Sequence, residues 1–172
     1  MTNGNIKIED NFLAQEIFDE IQRKMLSDSF PWYFTDTVDF LIDVDKFQFT
    51  HGLYLDSVPT SNWFQNMTPI VAALDPVSIL RIKANLLTRT SNIIENEFHL
   101  DMSFSSKEKQ KNHWATSIFY INTNNGYTEF ENGTKVESVA NRMVTFPANM
   151  KHRGTSCTDQ PTRIVINFNY FN

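Results

Sequence analysis

One cysteine, five glycines and six prolines in 172 residues exclude several architectures. Cys157 stands alone, so no internal disulfide can form and no cysteine cluster can hold zinc. Scarce glycine and proline exclude collagen-like and low-complexity chains. No apolar run reaches the roughly 20 residues that a membrane-spanning helix needs. The opening stretch MTNGNIKIED holds no apolar signal core either. Positive charge is short as well: 15 Lys and Arg against 20 Asp and Glu give a formal charge of −5. That balance disfavours nucleic acid, because phosphate binding needs a positive footprint. Lys107, Lys109 and Lys111 form a local basic strip, read here as part of a solvated loop. These absences point to a soluble, cytoplasmic chain with no membrane partner, and the length fits one domain over 1–172. They leave the oligomeric state open.

What is present is aromatic. Fifteen phenylalanines among 41% hydrophobic residues predict a core built on ring packing. The stretch EDNFLAQEIFDEIQRKMLS predicts a helix, with Leu13, Ile17, Ile21 and Met25 four residues apart and Asp10 or Asn11 as cap. A second helix is predicted in SNWFQNMTPIVAAL, opened by Ser61 or Asn62, interrupted at Pro69 and stopped before Asp75-Pro76. From Ile79 the pattern turns to strands: ILRIKANLL, WATSIFYINT, then a hairpin in GYTEFENGTKVESV with a two-residue turn at Asn132-Gly133. NRMVTFPANMKHRGT and RIVINFNYF complete the series. The order predicts an α+β, mainly β chain: helices over about 1–78 packed on one sheet of a jelly roll over about 79–172.

The stretch ENEFHLDMSF raises the functional question. In a strand, residues two apart share a face, so His99 and Asp101 point together. Such a pair can hold a metal, act as a catalytic couple or form an ordinary hydrogen bond. His51 and His113 have no carboxylate or histidine at ligand spacing and read as surface or structural residues. His152 follows a strand and a turn containing Pro147, and a jelly roll can return it beside His99. Two histidines and one carboxylate on a metal leave three positions open, an arrangement suited to non-haem Fe(II) with an anionic, chelating co-substrate. Arg163, Val165 and Asn167 share one face of the last strand, and Ile164, Ile166 and Phe168 the other. Alternation alone allows the Arg163 face to be solvent or the inside of a polar barrel, where a guanidinium needs an anion.

His99-Leu-Asp101, the MKHRG around His152 and Arg163 on the next strand together resemble the 2-oxoglutarate- and Fe(II)-dependent oxygenases. TSIFYIN resembles the strand that carries a tyrosine to 2-oxoglutarate in prolyl-hydroxylase-like members. NNGYTEF resembles that subgroup's Gly-Gly-X-Thr-X-Phe segment, with Asn125 in place of the first glycine. The likeness runs from about Leu80 to Phe171 and extends to compact, phage-encoded members. It implies a double-stranded β-helix, the cupin-like form of the jelly roll. It implies Fe(II) on His99, Asp101 and His152, and 2-oxoglutarate held by Arg163 and Tyr120, with Asn85 a further contact. Dioxygen would be the oxidant, ascorbate a support, and the substrate a peptidyl residue or a small molecule. Because Asp101 is present, hydroxylation is implied rather than halogenation. The loop 102–112, polar and rich in lysine, reads either as a lid over the site or as a solvated connection. Two other readings use the same residues: a zinc hydrolase, or a non-catalytic jelly-roll binding module.

Overall fold

The computed structural model describes residues 6–38, 46–101 and 113–172. The chain opens with strand β1 (Lys7–Glu9), helix α1 (Gln15–Met25) and strands β2 (Tyr33–Thr35), β3 (Gln48–Leu55) and β4 (Val58–Pro59). A 3-10 helix (Asn62–Met67) runs into α2 (Thr68–Leu74). Then come β5 (Ser78–Thr88), β6 (Trp114–Tyr120), β7 (Tyr127–Phe130), β8 (Lys135–Glu137), β9 (Arg142–Pro147), β10 (His152–Gly154) and β11 (Thr162–Phe171). The larger sheet has the order β1-β9-β6-β11-β5-β3-β2, with β4 added on β3, and the smaller one β10-β7-β8. Every pairing is antiparallel, which gives the two-sheet jelly roll expected.

Strand alternation divides the interior into two. Ile82, Ala84 and Leu86 of β5, Phe119 of β6 and Ile164, Ile166 and Phe168 of β11 meet Phe18, Ile21 and Met25 of α1 in one core. Ile118, Tyr120, Phe130, Val136, Val144, Phe146 and Val165 form a second core between the sheets. Phe119 is fully buried, with the Phe18 ring edge-on at 5.9 Å and Phe12 tilted at 6.0 Å. Phe119→Ala should therefore destabilise the fold by about 3–5 kcal/mol. Urea denaturation measures this, and a loss below about 1 kcal/mol contradicts the packing.

The N-terminal part departs from the helical reading, because β1, β2 and β3 join the larger sheet there. The first helix also begins later, after Ala14, with no side-chain cap. Asn11 is left-handed (φ 52°), and Asp10 binds Arg142 at 2.6 and 3.0 Å instead of capping. Ile17 is 42% exposed; Phe18 takes its place on the buried face. In the second helical stretch Ser61 accepts from the Trp63 amide, and Pro69 sits in the first turn of α2, where no amide is needed. The β7–β8 connection has four residues, Glu131 to Thr134, not two: Gly133 (φ 85°) donates to the Phe130 carbonyl at 2.8 Å. Glycine is needed there for the left-handed residue that closes such a loop. Among the described residues no helix is long and apolar enough to cross a membrane. The segment 102–112, read above as a lid or a solvated connection, lies outside the described residues.

Candidate metal centre and anion pocket

His99 and His152 form an isolated antiparallel bridge, each amide donating to the other's carbonyl, at 2.9 and 3.1 Å. Directly paired residues present their side chains on one face, and the two imidazoles lie 4.7 Å apart. Asp101 joins them, so that one ligand atom from each of the three residues lies within 4.8 Å of the others. The Nδ1 of His99 faces the Glu97 carbonyl at 3.1 Å, and that of His152 faces the Met150 carbonyl at 3.4 Å. A carbonyl only accepts, so each Nδ1 carries the proton and each Nε2 offers its lone pair. Both Nε2 atoms turn toward Asp101, at 3.7 and 3.9 Å.

The electrostatics suit a cation. Burial pushes the His152 imidazole down to about 4, against the pull of Asp101. Burial alone would raise Asp101, but His99 and His152, which are cationic at the acid pH where a carboxyl titrates, and the Arg81 guanidinium outweigh it and hold the carboxyl well below the usual carboxylate range. Arg81 lies 3.2 Å from one Asp101 oxygen; Asn169 donates to the other at 3.1 Å, and Asn167 approaches it at 3.5 Å. A buried neutral imidazole also makes the metal-free fold acid-sensitive. The unfolded chain binds the His152 proton below 6.5 and the folded one only near 4, so stability falls as pH drops through that window. The loss should reach about 3 kcal/mol, read from urea midpoints across the same range.

Arg163 lies at the other end of the same cavity, which measures about 240 Å³. The polar face of β11 is thus internal, and Arg163 is 3% exposed. It donates to Ser138 Oγ at 2.8 Å and to Thr128 Oγ1 at 3.1 Å, and no carboxylate pairs with it among the described residues. Burial pushes its pKa down. The Tyr120 hydroxyl is fully buried and donates to Thr128 Oγ1 at 2.8 Å. With both lone pairs of Thr128 engaged, its own O–H is left to donate into the cavity that it lines. Asn85 lines the cavity too, opposite Val165.

Several residues that line this pocket or bond its functional side chains were not singled out from sequence. Thr128 lay inside NNGYTEF without a role, and Ser138, Arg81 and Asn169 carried no motif. Gly126 of that motif is explained by space: a Cβ there would stand 2.7 Å from Arg163 Cδ. Asn125, where the motif has glycine, ties its turn to Thr158 through two hydrogen bonds of 2.7 and 2.9 Å. His51 is structural, buried and bonded to Ser61 at 2.8 Å, while His113 is exposed and stacks near Phe171.

Known structures place this architecture. The fold is similar to that of a prolyl hydroxylase from Trichoplax adhaerens, solved with a peptide of the hypoxia-inducible-factor oxygen degradation domain. Identity is 14% and the TM-score 0.68, over 99% of this chain and 84% of that one. The viral collagen prolyl hydroxylase of Paramecium bursaria Chlorella virus-1, solved with 2-oxoglutarate, matches at 11% identity and TM-score 0.63, over 97% and 96%. The non-haem, α-ketoglutarate-dependent epimerase SnoN of nogalamycin biosynthesis matches at 11% and 0.67, over 98% and 79%. No protein-family model and no curated protein matches the sequence. The chain therefore has the jelly-roll fold of prolyl hydroxylases and related 2-oxoglutarate–Fe(II) oxygenases. That fold serves both hydroxylation and epimerisation, so it does not by itself choose the outcome.

Proposed function

We propose that this chain is an Fe(II)- and 2-oxoglutarate-dependent dioxygenase that hydroxylates a C–H bond, with a peptidyl, prolyl-type residue as favoured substrate. The observation that carries this reading is a buried guanidinium that has no carboxylate partner among the described residues, in one cavity with a His-Asp-His cluster. A metal site alone would serve a hydrolase equally well; the second, anion-seeking end would then have no task. Arg163 and Asn167 are four residues apart on β11, roughly 13 Å. A metal–oxygen bond, an extended five-carbon diacid and a guanidinium fill such a span.

The donor set fits the metal. Two Nε2 lone pairs and one carboxylate oxygen, drawn from buried or half-buried residues, suit Fe(II) with positions left open. When bound, Fe(II) activates dioxygen and couples decarboxylation of 2-oxoglutarate, to succinate and carbon dioxide, with oxidation of the substrate. The chain's own part is placement. His99, Asp101 and His152 would hold the metal. Arg163 and the Thr128 hydroxyl would fix the far carboxylate of 2-oxoglutarate, with Tyr120 setting the Thr128 proton and Asn85 bordering the same space.

Incubation with Fe(II), 2-oxoglutarate and oxygen should release succinate slowly without substrate, and faster with a suitable proline-containing peptide. Proton NMR of succinate tests the first part, and peptide mass the second. A zinc hydrolase or a binding module leaves 2-oxoglutarate intact. Fully retained 2-oxoglutarate with Fe(II) bound rejects the proposal.

A further inference from the structure

Thr116, Asn169 and Arg81 lie side by side across three neighbouring strands, in register on β6, β11 and β5. All three face inward beside Asp101. Asn169 and Thr116 are fully buried. Asn169 Oδ1 accepts from Arg81 Nε at 2.8 Å, and its Nδ2 donates both to Thr116 Oγ1 at 3.0 Å and to Asp101 Oδ2 at 3.1 Å. The Arg81 guanidinium then closes the ring on Asp101 Oδ1 at 3.2 Å.

Each polar atom of this amide has a partner of the opposite kind. A flipped amide would place its oxygen against the Asp101 carboxylate and its NH2 against the Arg81 Nε–H, two repulsive contacts in a buried site. The orientation is therefore fixed. Asp101 needs the help, because it follows the short bridge of His99 and His152 and belongs to no strand itself. We infer that Asn169, locked by Arg81, is a positioning residue that holds the Asp101 carboxylate ready for a divalent metal.

This inference rests on the metal reading proposed above and adds a bracket outside the ligands. Groups that orient a ligand change metal affinity by about 10- to 100-fold when removed. A purely structural amide would lower thermal stability and leave the affinity of the folded protein alone.

The test is Co(II) titration of the folded protein under nitrogen, followed by the visible d–d absorption, with no co-substrate present. Asn169→Leu keeps the volume and removes the hydrogen bonds, so its Kd for Co(II) should rise about 10- to 100-fold. Arg81→Lys keeps the charge but loses the fork that locks the amide; its Kd should lie between wild type and Asn169→Leu. Asn169→Ser carries the same test where the leucine variant does not fold, and should also weaken binding. Wild-type Kd in folded Asn169→Leu or Asn169→Ser, whatever the melting temperature, overturns the inference alone. Wild-type Kd in Arg81→Lys overturns the lock. Absence of Co(II) binding by the wild-type protein overturns both the inference and the metal reading beneath it.

Discussion

His152→Ala should leave a folded protein that no longer retains Fe(II) and no longer forms succinate. His152 is 2% exposed, and its Nε2 is one of three donors gathered within 4.8 Å. No other histidine can replace it: His51 is bonded to Ser61, and His113 stacks near Phe171. The loss should exceed the roughly 100-fold that removal of an orienting group produces, because a donor itself is gone. The same variant carries a second readout. Wild-type stability falls as pH drops from 6.5 toward 4, since only the unfolded chain accepts the His152 proton in that window. Alanine has no proton to accept, so the decline of about 3 kcal/mol should largely vanish from the metal-free variant. Iron content by colorimetry and urea midpoints at several pH values provide the two measurements. Full iron retention would contradict the site, and an unchanged acid limb would contradict the buried neutral imidazole.

How much of this was legible in the sequence depends on the range of the interaction. His99 and Asp101 could be read as a pair because strand alternation is local, and His152 because the strand order implies a return. Their meeting by a single bridge of two hydrogen bonds could not, since pairing register is a property of distant segments. Arg163 was ambiguous for a physical reason. Both faces of β11 are buried, one against helix α1 and one between the sheets, so alternation marked a polar face without saying that it was internal. The same ambiguity hid Arg81 and Asn169, which become neighbours only through the β5–β11 register. The helix start was misplaced because Asp10 is drawn to Arg142, 132 residues away, in preference to the local cap. Strands β1 and β2 were missed because three residues carry too little pattern to register as period two.

Arg163→Ala should reduce apparent affinity for 2-oxoglutarate by about ten- to several-hundred-fold while Fe(II) binding stays nearly intact. Hydrogen bonds to charged groups contribute on the order of 1.5–3 kcal/mol, and a carboxylate left unpaired in the pocket adds to the loss. Each 1.4 kcal/mol is a tenfold change. The metal cluster should be spared, because among the described residues Arg163 bonds Ser138 and Thr128, while Asp101 is held by Arg81 and the asparagines of β11. Stability separates this role from a structural one. A buried charge with no counter-ion among the described residues disfavours the empty fold, so its removal should not carry the 3–5 kcal/mol penalty typical of breaking a buried ion pair. Arg163→Lys should restore only part of the affinity, since one ammonium cannot reach Ser138, Thr128 and a carboxylate together as the planar fork does. Tyr120→Phe should be milder still. It frees one lone pair of Thr128, whose O–H is then no longer obliged to point into the cavity. Titration of succinate release against 2-oxoglutarate ranks the three variants, and wild-type affinity in Arg163→Ala would remove the anion pocket from the proposed mechanism.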